Sequence, residues 1–101
     1  MKFLRTLPKS EESRIMGHQL LRCATSVAAN YRAAGRARSR AEFISKMGTV
    51  VEEADESVFW LEMLVDTEVV RREKIEPLLR EGNELLAIFA ASQRTARANK
   101  T

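Results

Sequence analysis

Arg22, Arg32, Arg36, Arg38 and Arg40 are the residues whose type and spacing could do chemistry in this sequence. A guanidinium is always charged and offers a planar fork of N–H donors that matches a phosphate. These arginines sit in a stretch with no acid between Glu12 and Glu42, and they could grip the backbone of RNA or DNA. Aromatic residues are sparse, and none interleaves with Arg36, Arg38 and Arg40, so base stacking is not expected there. The competing reading is pairing within the chain. Residues 1–50 hold ten Lys/Arg against three Asp/Glu, a net of +7, while residues 51–101 hold seven against eleven, a net of −4. No base lies between Lys46 and Arg71. A basic helix beside an acidic one would cancel much of this separation.

Other reactive residue types assemble into nothing. His18 is the only histidine, so the paired Glu-x-x-His ligands of a di-iron bundle cannot form, and a surface or boundary position is expected for it. Glu52, Glu53, Asp55 and Glu56 resemble a carboxylate cluster, but neighbours on a helix point in different directions, so an acidic solvated face is expected instead. Ser13, Ser26, Ser39, Ser45, Ser57 and Ser92 have no nearby histidine base. Cys23 is the only cysteine, which excludes an internal disulfide and a cysteine-based zinc site, and it falls on an apolar face as a small hydrophobe would. No glycine-rich phosphate loop is present. The reading is a protein that is not an enzyme and has no metal and no cofactor.

The elements that position these residues follow from periodicity. The chain has 101 residues, 45% hydrophobic and 31% charged, with two prolines and four glycines. That suits one domain with long helices. Residues 1–7 read as a helical stub, the tail of a helix whose earlier turns are missing, closed by Pro8. Ser10 followed by Glu11 and Glu12 reads as a capped helix start. Ile15/Met16, Leu20, Cys23, Val27, Tyr31 and Ala34 then give a helix over about 11–34. Gly35 is expected to end it in the left-handed conformation. Ser39 and Glu42 fit a capping box that opens a helix over 40–65, whose apolar stripe runs through Phe43, Met47, Val50, Ala54, Val58, Leu61 and Val65. Ile44, Val51, Phe59 and Trp60 broaden that stripe enough to serve a second surface. A last helix spans 73–95, with Pro77 near its start and Gly82 marking close packing, followed by a tail over 96–101. Antiparallel neighbours joined by short loops make an all-α, up-and-down bundle of four-helix type, its first helix reduced to the stub. Apolar surface left open by that reduction favours self-association. With no membrane-length apolar run, no signal peptide and a lone cysteine, the expected location is the cytoplasm.

The segments "QLLRCATSVAANYRAAGRARSRAEF" and "VVEEADESVFWLEML" resemble the bacterial four-helix bundle family of 23S ribosomal-RNA intervening-sequence proteins. The resemblance is carried by Gln19, Arg22, Ser26, Asn30, Arg38, Ser39, Glu42 and Phe43, with "EGNELLAIF" over 81–89. It spans about residues 8–97. It implies an up-and-down four-helix bundle that assembles into homopentameric rings, and a non-enzymatic role. A similar fold serves as the nucleic-acid-binding accessory protein of diversity-generating retroelements, so the resemblance also admits RNA or DNA as a partner. Tyr31-Arg32-Ala33-Ala34 replaces the family's usual Ile-Ala-Glu-Gly.

Overall fold

Ser10 sets the chain's first long helix. Its backbone is extended, and its hydroxyl accepts the Ser13 N–H at 3.1 Å, satisfying one of the free amides of a helix start. In this computed structural model, which describes residues 2–99, four helices follow in order: α1 (Lys2–Arg5), α2 (Glu11–Gly35), α3 (Arg40–Asp66) and α4 (Arg72–Ala98). No strand occurs among the described residues. The fold is an all-α bundle, as its apolar periodicity requires. Its stub helix is α1, and Met1 lies outside the described residues.

The end of α2 corrects the expectation for Gly35. No described glycine has a positive φ. Gly35 is the last helical residue, and the N–H groups of Arg36 and Ala37 reach back three residues to Ala33 and Ala34, both at 3.1 Å. This tighter last turn satisfies the carbonyls without a left-handed residue. Ser39 then caps α3 by accepting the Glu42 N–H at 3.0 Å. The Glu42 carboxylate returns to the N–H of Arg38 at 3.5 Å, one residue before the position a capping box uses.

The left-handed residue is Glu68, with φ 60°. Its N–H bonds the Val65 carbonyl at 2.9 Å, and the Val69 N–H bonds the Leu64 carbonyl at 3.1 Å. That pair of bonds is a Schellman closure, and Val69 also joins Leu64 in one apolar cluster, as the motif demands. α4 then begins at Arg72, so Pro77 sits in its second turn and leaves the Glu73 carbonyl without its helical donor. The helix runs past the expected end at 95. Gln93 anchors it there by donating to the Ile44 carbonyl of α3 at 3.3 Å, and the absence of a side chain at Gly48 leaves room for that approach.

Two apolar clusters hold the helices. One gathers Met16 and Leu20 of α2, Leu61 and Leu64 of α3, and Val70 and Ile75 around the start of α4, with Leu4 and Leu7 packed on it. The other gathers Ala34, Met47, Val50, Ala54 and Phe89 at the opposite end. Burying each of Met47, Leu64, Ile75 and Val50 contributes about 1.5–3 kcal/mol. Thr67 meets Met16, and Arg22 meets Glu53 and Glu56, so α2 and α3 run antiparallel. Gly82 meets Val58 and Gln93 meets Ile44, so α4 reverses again. A Cβ on Gly82 would lie 3.2 Å from Val58, the close approach its sequence position suggested. α3 packs extensively on both neighbours, whereas α2 and α4 do not pack extensively on each other. No helix among the described residues is long and apolar enough to cross a membrane.

Candidate functional site

The turn from α2 to α3 concentrates positive charge. Asn30 is held along α2 by donating to the Ser26 carbonyl at 2.9 Å and the Ser26 hydroxyl at 3.2 Å. One turn on, Arg32, Arg36 and Arg38 line an open cleft of about 770 Å³ together with Lys46. Ala29 and Ala33 give it a small-residue floor. Glu42 is its only acid, and that carboxylate faces the Arg38 N–H. None of the four cations makes an ion pair among the described residues. Four like charges around one cleft repel each other, and an anion placed among them removes that repulsion.

The five candidate arginines separate into three groups. Arg32, Arg36 and Arg38 share the cleft. Arg40, the first residue of α3, is exposed and lines none of it. Arg22 is committed elsewhere: it meets Glu56 at 2.6 Å and Glu53 at 3.4 Å, and takes up Gln19 at 3.1 Å. Of the five, it alone pairs with the acidic helix. Lys46 was not singled out from the sequence. It lies four residues after Glu42, one helical turn on, and that spacing is the signal that could have found it.

Cys23 sits beneath Arg22. Its Sγ and the carboxylate oxygens of Glu53 and Glu56 lie within 4.8 Å of one another, close enough for three ligands of one cation. The charge there is already balanced, because the Arg22 guanidinium bridges both carboxylates and reaches Cys23 Sγ at 3.2 Å. Burial first, and then the neighbouring Glu56, push the thiol up to about 11 despite the pull of Arg22. It is a neutral thiol at neutral pH, neither a nucleophile nor a ready metal ligand. The Arg22 charge is favoured in turn by the Cys23 thiolate once that forms at high pH, and by Glu56 and Glu53. Glu52 and Asp55 point away from this group and are exposed. His18 is exposed at the rim of a separate cavity of about 570 Å³, between α1 and the first turns of α2.

Fold and site together define an α-helical bundle protein whose most charged feature is a basic turn between its first two long helices. The chain matches the family described as 23S rRNA-intervening sequence protein over residues 1–91, and it belongs to that family. A crystal structure of a protein of unknown function from the S23 ribosomal protein family of Bacteroides thetaiotaomicron has a similar fold. It shares 38% identity, with a TM-score of 0.75, over 78% of this chain and 73% of that one. A search of curated protein sequences returned no match.

Proposed function

We propose that this protein is a non-enzymatic structural or interaction protein that assembles with copies of itself. The observation that carries this reading is the uncovered side between α2 and α4. Tyr31 is 56% exposed, Leu85 41% and Ile88 60%. Tyr31 and Phe89 touch across the gap, with ring centres 5.4 Å apart. Further along α2, Leu4 and Leu7, which flank the end of the short α1, pack against Gly17. Burying such surface is favourable at about 25 cal/mol per Å². The family resemblance makes a ring of five the expected product. The buried, protonated Cys23 and the neutralised Glu53–Glu56 pair support a role without catalysis. A single cysteine, with no partner in the chain for a disulfide, fits the cytoplasm. Light scattering over a range of concentrations tests the reading: mass should rise above that of one chain, and a strict monomer at high concentration contradicts it.

The basic cleft favours a second reading, binding of RNA or DNA by its phosphates. Arg32, Arg36, Arg38 and Lys46 would each neutralise one phosphate. Affinity for single-stranded RNA should then fall with salt along a log–log slope of about −3. Changing Arg36 and Arg38 to alanine should flatten that slope. An unchanged slope, or no binding by the wild type at low salt, removes the reading.

A further inference from the structure

We propose that α2 of one copy docks on the outer side of α3 of a second copy, along two exposed stripes of opposite charge. This rests on the self-assembly reading and names the surfaces that meet. On α2, Arg14, His18, Leu21, Thr25, Ala28 and Arg32 recur at alternating intervals of four and three residues, which places them on one line along the helix. All six are exposed. The stripe borders the side where Gly17 receives Leu4 and Leu7, away from Cys23. It is basic at both ends and apolar in the middle. Arg14 also holds Glu11 at 2.6 Å.

On α3, Glu52, Asp55, Phe59, Glu62 and Asp66 recur at intervals of three and four, and all are exposed. Phe59 is 48% exposed at the centre. None of the four acids makes an ion pair among the described residues, and Glu62 and Asp66 border α4, lining a small cavity with Arg72. Like charges at this spacing disfavour a helix slightly, and a basic partner would relieve that repulsion. The lengths agree, about 21 Å for α3 and about 27 Å for α2 at 1.5 Å per residue. With Phe59 set between Leu21 and Thr25 of another copy and the helices antiparallel, Glu52 falls between Ala28 and Arg32, within reach of that arginine, and Asp66 falls between Arg14 and His18.

The two stripes are unlike. Each copy therefore keeps one free stripe after every docking event, and the contact propagates into a ring or a chain rather than stopping at a two-fold dimer. The segregation of charge along the sequence then serves contacts between copies, beyond the bridging of α2 to α3 by Arg22.

The test uses light scattering of the full chain with Leu21→Glu and with Phe59→Glu, helical content being checked by circular dichroism. Each variant alone should be monomeric. Their equimolar mixture should give a single dimer, because one variant keeps the α3 stripe and the other keeps the α2 stripe. A second arm needs no apolar change: Arg32→Glu and Glu52→Arg should each weaken assembly, and the two together in one chain should restore it. Unchanged assembly of either glutamate variant, or no dimer in the mixture, overturns the α2-on-α3 contact while the self-assembly reading stands. A wild type that is monomeric at every concentration overturns both.

Discussion

At the scale of single residues, Arg22 and Cys23 show how a reactive-looking group is made inert. The sequence offers Arg22 as a phosphate binder and Cys23 as an apolar filler. The packing of α2 on α3 joins them under Glu53 and Glu56, which uses the arginine internally. A contact between residues 22 and 56 has no local signature, so this pairing was invisible to periodicity. The thiol makes a testable consequence. Its affinity for its proton is higher in the folded chain, at about 11 against an ordinary 9.0. Folding therefore gains stability from the protonated thiol below the ordinary value, and that gain is lost as pH rises through about 9 to 11. Denaturant unfolding should show lower stability at pH 10 than at pH 8, and Cys23→Ala should flatten this difference. An equal pH dependence in the two proteins would contradict the assignment. The native thiol should also react far more slowly with iodoacetamide at pH 8 than the unfolded chain does.

At the scale of elements, boundaries were legible where a side chain announces them. Ser10 and Ser39 cap the helices that follow them, as their positions before acidic first turns indicate. Removing one of these caps by Ser39→Ala should cost about 1 kcal/mol, seen as a lower melting temperature. The helix ends made by backbone geometry were not legible. Glycine is the usual left-handed residue, yet Gly35 stays helical and Glu68 takes φ 60°. The reason is tertiary: Val69 and Leu64 are drawn into one cluster, and the Schellman closure between them imposes the left-handed residue at position 68. A side chain there is strained, so Glu68→Gly should stabilise the fold by about 1 kcal/mol. A melting temperature raised by roughly 4–8 °C would be the matching signature for a chain of this size. No gain would mean that the glutamate is held by something other than backbone geometry. The last turn of α4 read as part of a tail from residue 96 because the anchor of that helix end, Gln93 on the α3 backbone near Ile44 and Gly48, is remote in sequence.

At the scale of the whole molecule, an all-α bundle was legible because apolar residues recur at helical spacing over three long segments. The distribution of its open surface was less so. Tyr31 and Leu85 share the apolar period of their helices, and both are nonetheless exposed, because α2 and α4 do not pack extensively on each other among the described residues. The site was legible in part. Arg32, Arg36 and Arg38 converge on one cleft, but Lys46 joins them only through the packing of α3 beside α2. Segregated charge, an uncovered apolar side and a free acidic stripe all concern what lies outside a single chain. Light scattering of the wild-type chain across a wide concentration range, at low and moderate salt, is the most direct test. The account predicts a mass of several chains that shrinks on dilution and with added salt. A mass of one chain at every concentration would contradict it.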